Sequence, residues 1–125
     1  MLPLETSPRE VKARLDRARL DRARVDRANL CTGEKIRLID VREPFEFQQA
    51  RIEGAELIPM QTVPAELQRL DAMADNETLI VYCHHGVRSL NVVNWLRKQG
   101  VEACQSMSGG IDQWSWEIDS AVPRY

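Results

Sequence analysis

The stretch Thr78-Leu79-Ile80-Val81-Tyr82 has no charged residue, is β-branched at Thr78, Ile80 and Val81, and runs directly into Cys83-His84-His85-Gly86. A short apolar run without polar alternation predicts a strand buried on both faces, which requires a layer of helices on each side. The segment after it supplies one: Leu90, Val93, Trp95 and Leu96 fall at helical spacing, and Gly100 closes the helix. The strongest strand of the chain is therefore joined to a helix by a cysteine-containing loop.

The remaining segments repeat that alternation. Ile36-Arg37-Leu38-Ile39-Asp40-Val41 reads as a second buried strand, followed at Pro44 by a loop or short helix. Leu57 and Ile58 suggest a brief strand before Pro59, Pro64 to Met73 a surface helix, and Val101 to Met107 a returning strand. Strands and helices alternating at these lengths predict an α/β fold with a mostly parallel central sheet flanked by helices on both faces. The chain has 125 residues, 43% of them hydrophobic and 29% charged. That is a length for one domain, expected over residues 1–125 with its core in 34–125, and enough to bury roughly two-thirds of the unfolded chain's surface.

Residues 8–30 form the least ordinary segment. Ser7-Pro8-Arg9-Glu10 combines a capping serine, proline at the first helical position and glutamate three residues after the serine, so an elongated N-terminal helix should begin there. From Arg14 a pentad repeats three times: Arg-Leu-Asp-Arg-Ala, the same again from Arg19, and Arg-Val-Asp-Arg-Ala from Arg24. Five residues advance about 140° net around a helix, so Leu15, Leu20 and Val25 cannot share one stripe, and Leu20 falls opposite Val11 and Leu15. Asp16 with Arg19, Arg17 with Asp21, Asp21 with Arg24 and Arg22 with Asp26 have ion-pair spacing, at about 0.2–0.5 kcal/mol each. The first turns should dock on the body, the repeated part should extend along or past it, and Gly33 should mark the end.

The 17 basic and 19 acidic residues leave a net charge of −2, and Asp16, Asp21 and Asp26 neutralise the arginines of the repeat locally. No overall field draws nucleic acid or anionic lipid, so small molecules or proteins are the expected partners. Cys31, Cys83 and Cys104 are odd in number and lack CxxC spacing, which suits a reducing compartment better than a disulfide framework. Met1 to Glu10 has no signal-peptide core and no 18 apolar residues run together, so a cytoplasmic protein without a membrane span is expected.

In parallel sheets ligands bind beyond the carboxyl ends of the strands, where loops enter helices. Here that loop is Cys83-His84-His85-Gly86-Val87-Arg88-Ser89. With Gly86 in it, its amides can turn inward as an anion-binding nest at a helix N-terminus, and a thiolate at Cys83 would sit in that nest. An ordinary thiol is only about 3% ionised at pH 7, so the nest, the helix dipole and the charge of Arg88 are what thiolate chemistry requires at this place.

Cys83 to Ser89 resembles the active-site loop of the rhodanese family. Asp40-Val41-Arg42-Glu43, then Arg51-Ile52-Glu53-Gly54-Ala55 through Ile58-Pro59, and Ser108-Gly109-Gly110-Ile111 with Trp114 resemble further motifs of that family in the same order, over about residues 34–125. The start of the first helix matches as well, and the pentads look like an elongation of it. Arg51 stands where the family often has histidine, which could alter the mouth of the site. The resemblance implies a rhodanese-like fold and sulfur transfer: Cys83 takes the outer sulfur of thiosulfate or another sulfane donor as a persulfide, and cyanide, a thiol or a partner protein's cysteine removes it. It implies no metal or organic cofactor. The amides of residues 84–88 would stabilise the persulfide, Arg88 would fix the loop and attract the anionic donor, and His84 and His85 would shape entry or add partial positive charge.

Blander roles compete at several of these positions. Asp40 and Arg42 are read as supporting residues that hold loops by hydrogen bonds, Gly109, Gly110 and Trp114 as turn and packing residues, and Cys31 and Cys104 as structural. Adjacent His84 and His85 chelate poorly together with Cys83, so no metal site is expected. Cysteine phosphatases share the thiolate loop but place five residues between cysteine and arginine, whereas four, His84 to Val87, intervene here. Two further functions are compatible with the same fold: a recognition module, and a persulfide relay with little thiosulfate activity that docks a protein partner at the N-terminal helix.

Overall fold

The computed structural model describes residues 2–28 and 34–125, with the side chains of the first helix described as far as Leu20. The elements are β1 (Glu5–Thr6), α1 (Pro8–Ala28), β2 (Ile36–Asp40), α2 (Pro44–Gln49), β3 (Glu56–Leu57), α3 (Leu67–Ala74), β4 (Thr78–Tyr82), α4 (Val87–Lys98), β5 (Cys104–Met107) and α5 (Gly110–Glu117). Among the described residues five strands form one parallel sheet in the order β1-β5-β4-β2-β3.

All five residues of β4 are buried, and its side chains divide between two layers. Leu79, Val81 and Cys83 join Ile39, Val92, Val93 and Leu96 in a core beneath α3 and α4. Ile80 and Tyr82 join Leu38, Met107, Val11, Ile111 and Trp114 in a second core beneath α1 and α5. The period-2 alternation of a strand makes this division, so a fully apolar strand needs a helical layer on each side. It also places the Cys83 side chain on the α4 face.

α1 docks by its first turns. Val11 is fully buried and Ala18 buried, while Leu20 is 61% exposed, as the pentad geometry requires. Arg14 of the first pentad forks onto Glu34 at 2.9 and 2.7 Å and reaches Gln105 Oε1 at 2.7 Å, tying the helix across the start of β2 to β5. Asp16 is held at 2.6 Å by Lys12, one turn before it, and not by the expected Arg19, one turn after it. The expected capping box is half formed: Ser7 Oγ accepts the Glu10 N–H at 3.2 Å, while the Glu10 carboxylate turns to the Thr6 hydroxyl at 2.9 Å. The expected pairs from Asp21 to Asp26, the helix residues 29–30, Cys31 and the terminating Gly33 lie outside the described side chains or residues.

The expected strands at Leu57–Ile58 and Val101–Met107 are found at Glu56–Leu57 and Cys104–Met107, and α5 forms where only turn and packing residues were expected. β1 has no counterpart among the expected strands: with two residues it carries no periodic signal, and it exists because the Ser106 and Ser108 amides donate to Leu4 O and Thr6 O at 2.8 and 2.9 Å. The helix expected from Pro64 begins as a 3₁₀ turn over Met60–Glu66 and becomes α-helical at Leu67. Pro64 has no N–H for a helical ladder, so the regular helix starts just beyond it.

Ile80→Ala should lower unfolding free energy by about 2–5 kcal/mol, because Ile80 is fully buried, whereas Leu20→Ser should stay within about 0.5 kcal/mol. Urea unfolding followed by tryptophan fluorescence measures both.

Candidate active site

Cys83 leaves β4 at the carboxyl end of the central strand and is 1% exposed. The chain turns through His84, His85 and Gly86 and enters α4 at Val87. Gly86 makes the turn with φ +102°, in the left-handed region where a side chain is strained, and a Cβ there would stand 3.1 Å from Gly109 N. That conformation aims the Gly86 N–H at Cys83 Sγ, 3.1 Å away. The Ser89 N–H, in the first turn of α4, lies 3.4 Å from the same sulfur, and Ser89 Oγ lies 3.5 Å from it. Donors and the positive end of a helix thus converge on one sulfur.

Of the amides expected at residues 84–88, Gly86 is the one within hydrogen-bond distance of Sγ; Ser89 lies one residue past the predicted set. Ser89 is fully buried, and its hydroxyl is shared with Gly86 O at 3.2 Å and Ser106 Oγ at 2.8 Å. The opposite side of the loop is held by α5. Ile111 N–H donates to Cys83 O at 2.9 Å and Asp112 N–H to His84 O at 3.1 Å. A Cβ on Gly110 would come within 2.4 Å of both carbonyl oxygens, at φ +61°. The Cys83 and His84 carbonyls thus point to α5, and the Gly86 and Ser89 amides to the sulfur.

Arg88 directs its guanidinium to Glu46 on α2, with Nη1 and Nη2 at 2.8 and 3.0 Å from the two carboxylate oxygens. The same carboxylate accepts the Tyr125 hydroxyl at 2.7 Å and the Glu43 N–H at 3.0 Å. Arg88, together with these other donors and against the opposing effect of burial, holds the Glu46 pKa down at about 2. Tyr125 Oη in turn accepts Arg42 Nη1 at 2.6 Å, and burial together with the bond to Glu46 pushes its pKa up to about 12.

Asp40 and Arg42 are both fully buried. Arg42 Nε and Nη2 meet the Asp40 carboxylate at 2.9 and 2.6 Å, its backbone N–H meets it at 3.0 Å, and Nη2 also donates to Ala50 O. Burial opposes the charge on Arg42, but Asp40 and Tyr125 outweigh it and raise its pKa. This pair ties the end of β2 to Ala50 and to Tyr125.

His84 is sandwiched between His85 and Tyr125, with ring centroids 3.9 and 4.0 Å away. Burial first, and then His85, lower its pKa, and its Nε2 is buried without a partner among the described residues. His85 and Val87 are exposed at the rim. Arg51 lies over the Phe47 ring at 4.7 Å.

Cys104 is fully buried, and burial raises its pKa. It pairs in register with Leu79, four residues before Cys83 on β4. At about 3.3 Å per residue that separates the two cysteines by about 13 Å, beyond disulfide reach. Among the described residues no group of three or more His, Cys, Asp or Glu side chains is placed to share a metal ion, and no helix is long and apolar enough to cross a membrane.

A profile of the rhodanese-like domain matches residues 7–117. The chain belongs to the rhodanese-like domain family. As a family member it is 33% identical over 96 residues to a Rhodanese-like/PpiC domain-containing protein 12, chloroplastic, of Arabidopsis thaliana, covering 74% of this chain but 31% of that relative's length. It is 30% identical over 86 residues to a sulfurtransferase of Allochromatium vinosum, covering 69% of this chain and 78% of that protein. The crystal structure of a rhodanese-like domain protein from Staphylococcus aureus superposes with a TM-score of 0.70 at 25% identity, covering 98% of this chain and 99% of that one. The sequence singled out the loop from Cys83 to Ser89, whereas Ser89 itself, Ser106, Glu46 and Tyr125 had no assigned role. Ser89 could have been found from its place in the first helical turn; Tyr125 carries no local signal.

Two changes test this geometry. Gly110→Ala should cost at least about 1–3 kcal/mol in thermal unfolding and should slow alkylation of Cys83, since the loop must move off α5. Glu46 should stabilise the fold fully above its ordinary pKa of 4.5 and progressively less as pH falls through about 2. In Glu46→Gln, urea unfolding between pH 4.5 and 2 should show a flatter loss, and stability at pH 7 should be lower because Arg88 is left without its partner.

Proposed function

We propose that this rhodanese-like domain is a sulfurtransferase that carries a sulfane sulfur as a persulfide on Cys83. The observation that carries the reading is the recessed Sγ with the Gly86 and Ser89 amides directed at it. The Cys83 thiolate attacks the outer sulfur of thiosulfate or a similar donor. A new S–S bond forms, the donor's S–S bond breaks, and sulfite leaves with that bond's electron pair. An acceptor thiolate or cyanide then attacks the outer sulfur of the persulfide and returns Cys83 as thiolate. Neither step changes the total charge or needs a metal or organic cofactor. The amide donors stabilise negative charge on the disulfur unit, and their place is fixed before reaction by Gly86 and Gly110. Arg88, anchored by Glu46, holds the start of α4 over the sulfur and contributes positive charge at its mouth. The four-residue interval from Cys83 to Arg88 gives a smaller cradle than the phosphatase loop. The Allochromatium relative, named a sulfurtransferase, supports the reaction class.

A protein acceptor is the favoured form of the second step. Phe45, adjacent to Glu46, and Val87, adjacent to Arg88, are 67% and 70% exposed, an apolar rim that a small anion does not require. Leu20 on α1 offers another apolar contact for such a partner. We place this chemistry in a reducing, cytoplasmic setting, where free thiols persist.

Incubation with thiosulfate should add about 32 Da, one sulfur atom, to the wild type and nothing at this site to Cys83→Ser, and cyanide should remove it. Ser89→Ala should still load sulfur, about 3–10-fold more slowly. If neither thiosulfate nor any persulfide donor loads Cys83, the sulfurtransferase reading fails and a recognition module replaces it.

A further inference from the structure

Tyr125 lies beyond the residues 7–117 that match the family, yet its side chain touches three parts of the site. Its hydroxyl accepts from Arg42 Nη1 at 2.6 Å and donates to Glu46 Oε2 at 2.7 Å, and its ring stacks on His84 at 4.0 Å with an interplanar angle of 8°. We propose that Tyr125 is a positioning residue that sets the preference of the Cys83 mouth for anionic reagents: its hydroxyl ties Arg42 to the Glu46–Arg88 pair, and its ring clamps the residue that follows the nucleophile. The proposal deepens the sulfurtransferase reading and rests on it for the identity of the anion, a sulfane donor such as thiosulfate.

The reasoning is electrostatic. Glu46 and Arg88 by themselves form a bidentate pair whose charges largely cancel toward the mouth. The Tyr125 hydroxyl, polarised by the Arg42 guanidinium behind it, draws part of the Glu46 charge to the far side of the carboxylate. Arg88, in the turn that holds Ser89 against the sulfur, is then less fully neutralised. Since the hydroxyl's pKa is pushed up to about 12, first by burial, it remains a donor throughout the neutral range. The ring acts separately. By stacking on His84, whose other face meets His85, it fixes both rings at the entry. Tyr125→Phe removes the first effect and keeps the second; Tyr125→Leu removes both.

The test compares alkylation of Cys83 by iodoacetate, an anion, with that by iodoacetamide, which is neutral, read by mass on the Cys83 peptide at a temperature where every variant is folded. The ratio of the two rates cancels the thiolate fraction, which both reagents share. Tyr125→Phe should lower the iodoacetate-to-iodoacetamide ratio about three-fold or more, the difference should shrink with added salt, and the KM for thiosulfate should rise while kcat changes little. Tyr125→Leu should lower the ratio equally and also alter the iodoacetamide rate, because His84 is released. An unchanged ratio in Tyr125→Phe, or equal changes for both reagents, overturns the proposal, the latter because it reports only loosened packing. Sulfur loading is measured in parallel. Normal loading with an unmoved ratio sinks the role of Tyr125 and leaves the sulfurtransferase standing, whereas a shifted ratio with no loading from any donor sinks the sulfurtransferase and leaves the anion preference.

Discussion

The guanidinium of Arg42 is fully buried, and the organisation around the site follows from where its donors go. A cation out of water costs several kcal/mol unless it is paired and its N–H groups are satisfied. Asp40 meets it from two residues away, Ala50 O from just past the end of α2, and Tyr125 from the segment that follows α5. One side chain therefore gathers the end of β2, the exit of α2 and the C-terminal segment at a single point. From Tyr125 the linkage continues through Glu46 to Arg88, so the start of α4 is registered against the buried pair.

The sulfur cradle is a meeting of two helix starts with opposite tasks. α4 presents amides to Sγ, while α5 presents amides to the loop carbonyls. A peptide that turns its N–H groups inward must turn carbonyls outward, and those carbonyls would be orphaned under a buried loop without a second donor set. Gly110, with no Cβ, lets α5 come close enough to serve them, and Gly109 takes the left-handed turn, φ +76°, that starts the helix there. The glycines of the Ser108-Gly109-Gly110-Ile111 segment thus belong to the same device as Cys83, though neither touches the sulfur.

The N-terminal helix shows how one repeat can serve two purposes. Arg14 in the first pentad forks across Glu34 and Gln105, and Leu15 packs against the core, whereas Leu20 in the second pentad faces water. The chemistry of the units is the same; the 140° advance per pentad changes what each one meets.

The order of β2 to β5 with the helices between them, the two-sided burial of β4, the place of Cys83 at its carboxyl end and the exposure of Leu20 were legible in the sequence, because each depends on spacing within a few residues. Apolar continuity makes a central strand, a loop cysteine before a helix lies at its carboxyl end, and helical rotation places Leu20. β1 and the 3₁₀ turn before α3 were not legible, since two residues have no period and the turn depends on what Met60 and Val63 pack against. Beyond the local pair of Asp40 and Arg42, the partners of the charged residues at the site were decided by the tertiary structure. Arg88 meets Glu46 across 42 residues, Tyr125 meets Glu46 across 79, and Arg42 meets Tyr125 across 83. Such pairs form only where the strand order brings the ends of β2 and β4 together and the chain beyond α5 folds back over them. A charge in the sequence states that a partner is needed; the packing of distant elements chooses which one.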